Sequence, residues 1–271
     1  MSLQVFEKET SADQCECPIL AVRDVVAGYS SATPIIIDLS FQVRRGEFVS
    51  LVGPSGVGKT TLLRTLAGLL PPLQGKVVFE GAPISAPPRH LTIIFQDYSR
   101  SLLPWMSVID NITLVLRSRK ELSAQQRRDR AMSALSVVGL ARDFGKYPWE
   151  LSGGMQQRVA IARALAYEPH VLLMDEPFAS VDALTRTDLE ELVLKVRADF
   201  GMTILLVTHD IDEAIYMSDR VVVLGGRPAR VTGRVDIPFG PVRDQFATKA
   251  LPEFSRLRQL IFDEVQQGSS R

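Results

Sequence analysis

Through the first hundred residues the apolar positions fall in short runs rich in β-branched side chains and broken by turn residues, a pattern that predicts strands at 19–26, 34–43 and 47–52. Two shorter runs, at 77–80 and 91–95, predict strands on either side of a loop that holds Pro83, Pro87 and Pro88. Helical spacing follows residue 58 and runs to about Gly68, after which Pro71, Pro72 and Gly75 predict a turn. Over 107–139 the period lengthens from two to nearly four. Val108, Ile112, Val115 and Leu116 share one helical face, and Ser123 with Gln126 makes a capping-box pattern opening a second helix that carries Met132, Leu135 and Val138. Helix and strand alternate again over 153–224. Beyond Arg227 the pattern predicts a short strand and a final amphipathic helix near 254–265. The chain reads as α/β, interrupted by an inserted helical stretch.

The candidate chemistry sits where these elements meet. After the strand at 47–52 come Gly53, Pro54, Ser55, Gly56, Val57, Gly58, Lys59, Thr60 and Thr61, a G-x-x-x-x-G-K-[ST] phosphate loop in its strand–loop–helix setting. Glycines at 53, 56 and 58 let the backbone wrap a phosphate without Cβ clashes. Inward N–H groups and the positive end of the helix favour an anion there. Lys59 supplies a point charge for β- and γ-phosphates, and the Thr60 hydroxyl can ligate Mg²⁺.

A second apolar strand, over 171–174, ends in Asp175 and Glu176. At the carboxyl edge of a parallel sheet Asp175 can hold Mg²⁺ through its hydration shell, and Glu176 can polarise an attacking water. Gln96 and His209 each follow a strand expected to align beside the phosphate-loop strand, at the edge where α/β proteins bind ligands. The Gln96 amide can reach both Mg²⁺ and the nucleophilic water. Ser152, Gly153 and Gly154 begin another amphipathic helix, a second anion-binding N-terminus in one chain. One nucleotide needs one cradle, so the second suggests a surface that meets a phosphate held by a partner subunit.

Composition narrows the class. Of 271 residues 46% are hydrophobic, enough for one large α/β unit with a small subdomain. Thirty-one basic residues balance 31 acidic ones, which removes the electrostatic argument for bulk nucleic-acid binding. No apolar run approaches the roughly 18–20 residues that cross a bilayer. The acidic, polar start of the chain lacks the apolar stretch of a signal peptide. Cys15 and Cys17, with no histidine or further cysteine nearby, read as free thiols of a reducing compartment.

Taken in order, the phosphate loop, Gln96, the segment 151–155, Asp175 with Glu176, Ser180 to Asp182, and His209 resemble the ATP-binding cassette (ABC) ATPases, over roughly 19–230. The resemblance implies a P-loop NTPase (RecA-like) core, an N-terminal antiparallel β subdomain and a helical subdomain inserted at about 97–153. It divides the chain into a flexible leader at 1–17, an ATPase domain at 18–230 and an extension at 231–271 with an amphipathic helix. It also implies a head-to-tail homodimer with two ATP molecules at its interface. Each would lie between the phosphate loop of one copy and Ser152, Gly153 and Gly154 of the other, with Asp182 at the same interface. Tyr29 would stack on adenine. ATP and Mg²⁺ are the implied ligands.

Finer features, over 95–105 and 175–186, resemble importer ATPases for nitrate, sulfonates, taurine and related small anions. Trp149 stands where a histidine is usual, and Ser180 with Val181 where an Ala-Leu pair is usual. Such importers work at the cytoplasmic face of the membrane with permease subunits and, indirectly, a solute-binding protein outside the cell. Leu102, Leu103, Trp105 and Met106 would line the permease contact, or pack inside the helical subdomain. Two other readings stand beside this one. A soluble ABC ATPase acting on nucleic acid or ribosomes usually carries a coiled-coil insertion or a second cassette. A P-loop kinase leaves Ser152 to Gly154 unexplained.

Overall fold

The computed structural model describes residues 17–97 and 101–269; the expected leader, apart from Cys17, and residues 98–100 of the importer-like stretch lie outside it. In chain order come β1 (Leu20–Ala27), β2 (Ile36–Val43), β3 (Phe48–Val52), α1 (Lys59–Leu66), β4 (Gln74–Phe79), β5 (Ala82–Pro83) and β6 (Leu91–Ile94). Three helices follow, α2 (Val108–Val115), α3 (Ala124–Val137) and α4 (Gly153–Ala166). Then β7 (Val171–Asp175), α5 (Ala183–Phe200), β8 (Thr203–Thr208), α6 (Ile211–Met217) and β9 (Arg220–Gly225) alternate. β10 (Arg230–Asp236), α7 (Gln245–Lys249) and α8 (Pro252–Ser269) end the chain.

The strands make two sheets. β2, β1, β4 and β5 form an antiparallel one in that order, and the larger sheet runs β10–β9–β3–β8–β7–β6. Its neighbours are parallel except for β10, which turns back along β9. Parallel strands covered on both faces read as unbroken apolar runs, which explains Phe48–Val52, Val171–Asp175 and Thr203–Thr208. Successive side chains then point to opposite cores. Val49, Leu51, Leu173, Leu205 and Val207 pack against α1 and the antiparallel sheet, whereas Phe48, Val52, Leu172, Met174, Ile204 and Leu206 face the helices on the other side. The inserted helices join that second core through Ile112, Leu116, Ala131, Leu135 and Val138, against Val159 and Ile161 of α4.

Several local expectations hold. Ser123 and Gln126 form the capping box, with Gln126 N–H donating to Ser123 Oγ at 3.2 Å and Ser123 N–H to Gln126 Oε1 at 2.8 Å. The final helix starts at Pro252, earlier than its apolar spacing suggested, and buries Phe254, Leu257 and Ile261. Three features differ. The fourth strand begins at Gln74, inside the stretch read as a turn, because Gly75 at φ +75° passes the Asp24 carbonyl so closely that a Cβ would lie 2.2 Å from it. The five-residue helix α7 had no periodicity to reveal it. And β6, which precedes Gln96, does not lie beside β3; β8 and β7 stand between them at the sheet's edge.

One arginine ties the starts of two central strands to a helix. Arg197 of α5 donates from Nε and Nη2 to the Gly46 carbonyl at 3.2 and 2.9 Å, and its guanidinium pairs with Asp219. Asp219 in turn accepts the Phe48 N–H at 2.9 Å. Replacing Arg197 by Met removes both of these donors from the Gly46 carbonyl and one donor from each Asp219 oxygen. Arg197→Met is expected to lower unfolding stability by about 2 kcal/mol, read from the urea midpoint; an unchanged midpoint would show that the clamp is idle.

Candidate functional site

Helices α2 to α7 each begin with a side-chain cap, from Ser107, Ser123, Ser152, Asp182, Asp210 and Asp244. Helix α1 has none: its N-cap is Gly58, at φ +106°, and its first-turn N–H groups have no side-chain acceptor. Gly56, at φ +76°, faces open space where a Cβ would stand. The loop before α1 thus presents backbone donors without side-chain acceptors, with open space at Gly56, which suits an anion. Val57 is buried in the core, which anchors the loop, while Ser55, Gly56 and Thr60 are exposed.

Lys59 is folded back into this loop. Its Nζ donates to the carbonyls of Gly53 and Pro54 at 3.0 and 3.2 Å and lies 3.4 Å from Glu176 Oε1. Glu176 follows β7 with φ +43°, a left-handed conformation uncommon for a residue with a Cβ. Its N–H donates to the Val207 carbonyl of β8 at 2.8 Å, and the turn brings its carboxylate back over the sheet edge. There Glu176 Oε2 meets His209 Nδ1 at 3.0 Å and accepts from Gln96 Nε2 at 3.3 Å. Lys59, Gln96 and His209, from three separate segments, therefore converge on the Glu176 carboxylate. Although β6 is remote from β3, Gln96 reaches this point because β6 pairs with β7, whose end carries Glu176.

Asp175 is buried, and its side chain hydrogen-bonds Thr60. Burial pushes its carboxyl above the ordinary range and the adjacent Glu176 charge adds to this, while the Thr60 hydrogen bond and the Lys59 and Arg64 charges oppose it. One carboxylate and one hydroxyl side by side fit Mg²⁺, which takes few protein ligands and completes its shell with water and phosphate oxygens. Tyr29 stands 64% exposed after β1, its hydroxyl accepting from Arg64 Nη1 at 2.8 Å, so the ring face is free to stack.

Ser152, Gly153, Gly154 and Asp182 are held by neighbours of their own. Ser152 Oγ accepts the Met155 N–H at 3.3 Å, and Asp182 accepts from Thr185 through both its N–H and its hydroxyl, at 3.0 and 2.7 Å. The two motifs touch: a Cβ on Gly154 would stand 2.2 Å from the Thr185 methyl. Ser152, Gly153 and Asp182 are exposed, and Leu184 beside them is 83% exposed. Arg163 escaped the reading of the sequence. From inside α4 it donates to the Ser101 carbonyl at 2.6 Å and to its hydroxyl at 2.7 Å, fixing the chain just beyond the Gln96 loop. No motif spacing marks it; only its position inside α4, half-buried against Ser101, does. Of the expected permease-facing residues, Leu102 is buried in the core and Trp105 is 70% exposed.

The packing of Gly154 on Thr185 yields a testable coupling. Gly154→Ala is expected to lower stability by about 1–3 kcal/mol through overpacking, and Thr185→Ser, which removes only the methyl, to restore most of the loss in the double variant. Additive losses in thermal unfolding would contradict the contact.

The family model for the ABC transporter domain matches residues 36–179. Nitrate import ATP-binding protein NrtD of Synechococcus elongatus is 43% identical over 230 residues, 84% of this chain and 83% of that protein. NrtC of the same organism is 42% identical over 232 residues, and there the match spans only 35% of the longer relative. The taurine import ATP-binding protein TauB of Yersinia pseudotuberculosis is 41% identical over 241 residues, 86% of this chain and 92% of that one. Among solved structures, the ATP-binding cassette MJ0796, dimeric and bound to ADP and phosphate in a post-hydrolysis state, superposes with a TM-score of 0.71 at 30% identity, covering 82% of this chain and all of that one. The chain belongs to the ABC transporter family.

Proposed function

We propose that this chain is the ATP-hydrolysing, energy-coupling subunit of an importer for a small anion such as nitrate, a sulfonate or taurine. The observation that carries the reading is the convergence of Lys59, Gln96 and His209 on the Glu176 carboxylate at the mouth of an uncapped, glycine-lined helix N-terminus. In this reading residues 18–230 are the ATPase domain, the helices of about 97–153 are its insertion, and 231–271 are an extension.

The residues divide the work. Backbone donors of residues 53–61 and the Lys59 ammonium hold the triphosphate, and Tyr29 stacks on the base. Thr60, Asp175 and the amide of Gln96 would hold Mg²⁺, which when bound neutralises phosphate charge. Glu176 orients the attacking water and takes its proton, and its present partner Lys59 leaves for the phosphates when ATP arrives. His209 steadies Glu176. The N-terminal end of α4 at Ser152 to Gly154, where Ser152 and Gly153 are exposed, meets the phosphates held by a second copy of the chain, and Asp182 lies at the same interface. ATP then favours the closed dimer and its hydrolysis favours the open one, which is the differential affinity that moves a permease. No helix among the described residues is long and apolar enough to cross a membrane. In this reading separate permease subunits cross the membrane and the chain attaches to them at its cytoplasmic face.

Glu176→Gln is expected to keep ATP affinity and to lower kcat by about 100-fold or more; wild-type turnover would remove Glu176 from the mechanism. Lys59→Ala is expected to weaken ATP binding by at least about tenfold, since a charge-assisted contact is lost; equal affinity by titration calorimetry would contradict the loop assignment. Sedimentation of Glu176→Gln should show a dimer with ATP and a monomer without it.

A further inference from the structure

Behind the turn that carries His209 lies a carboxyl that the reaction as described does not use. Glu213 of α6 is 6% exposed, and its Oε1 has no hydrogen-bond partner. Its Oε2 accepts from the Thr208 hydroxyl. That hydroxyl in turn accepts the Asp210 N–H at 3.0 Å. The bridge therefore spans His209, gripping the residue before it and the residue after it. Asp210 completes the turn, its Oδ1 accepting the N–H groups of Asp212 and Glu213 at 2.9 and 3.1 Å and its Oδ2 lying 3.5 Å from Arg186 Nη1. His209 itself is more than half exposed and touches Glu176 through one ring nitrogen. What fixes the backbone under it also fixes the angle from which it meets Glu176.

We propose that Glu213 is a positioning residue for ATP hydrolysis, holding the His209 turn through the Thr208 hydroxyl. The proposal rests on the ATPase reading above. The groups around Glu213 are Arg186 and Glu190 from α5 and Asp210 from the turn. Behind Glu190 stand Gln245, donating to it at 2.6 Å, and Lys249, at 3.8 Å, both from α7. Around Glu213, Glu190 and Asp210 oppose the single Arg186 charge. Burial first, then the charges of Glu190 and Asp210, push the Glu213 carboxyl up to about 8, against the Thr208 hydrogen bond and the Arg186 charge. Glu213 is thus mostly protonated at pH 7 and ionises as pH rises through that value. A charge there, facing Glu190 and Asp210, pushes on the same turn.

The test compares kcat, KM for ATP and their pH profiles in Glu213→Ala, Glu213→Gln, Thr208→Val and the pair Glu213→Ala/Thr208→Val, with ADP affinity measured alongside. Losing the bridge displaces His209 without touching the nucleotide. Glu213→Ala and Thr208→Val are therefore each expected to lower kcat by about tenfold with KM and ADP affinity within about twofold. The pair should be no worse than either single change. Glu213→Gln keeps an acceptor oxygen and carries no charge. It should recover most of the loss, and it should lack the fall in kcat expected of the wild type above about pH 8. Wild-type kcat in both single variants, multiplying losses in the pair, or the same alkaline fall in Glu213→Gln would overturn the proposal. Each of those outcomes leaves ATP hydrolysis by the wild type intact, so failure here is separate from failure of the ATPase reading, which a wild type without ATPase activity would signal.

Discussion

The Glu176 carboxylate sets the constraint on which the rest of the structure depends. A charge with 15% of its side chain exposed must be met by donors, and Lys59, His209 and Gln96 meet it. To bring those four groups together the chain needs the carboxyl ends of β3, β7 and β8 on one sheet edge, with β6 paired to β7. A parallel sheet does this by construction. The left-handed turn at Glu176 adds the last adjustment, folding the carboxylate back over the edge. Strain at that residue persists because its N–H is tied to Val207 on one side and its carboxylate to three partners on the other.

The two faces of the sheet divide the labour. One packs on α1 and the antiparallel strands, which place Tyr29 and the phosphate loop. The other carries the inserted helices, α4 and α5, whose exposed N-termini bear Ser152 and Asp182. The two motif sets are therefore linked through a shared core, and Gly154 packed on Thr185 is the direct contact between the second pair. Deeper in that core, α5 and α6 share the buried acids Glu190 and Glu213, with α7 supplying Gln245 and Lys249. The chain's C-terminal segment thus reaches, through one glutamate, the neighbourhood of the His209 turn.

Much of this was legible in the residues. The strand–glycine loop–helix at 47–66, the apolar strand before Asp175 and Glu176, and the capping box at Ser123 all carry local rules strong enough to survive tertiary context. The neighbourhood of Gln96 was not legible, because strand order in a sheet is long-range information and β6 sits at the edge, not beside β3. For Leu102 permease contact and packing inside the helical subdomain both stood open, since an apolar side chain has the same spelling in either role; it is core. Arg163 and Glu213 were invisible because buried polar residues acquire meaning only from partners distant in sequence. The short helix α7 has too few residues for periodicity to register.

The central claim is that one ATP is held by two copies of this chain. The direct measurement mixes a Ser152→Arg subunit with a Lys59→Ala subunit and assays the purified heterodimer. In each homodimer both sites carry a defect. In the heterodimer the intact phosphate loop of one subunit faces the intact Ser152 of the other, so the account predicts that two inactive parents together regain ATPase activity, to about half the wild-type level if the two sites act independently. A heterodimer as inactive as its parents would mean that each chain uses its own Ser152 and Lys59, and the shared site would be wrong.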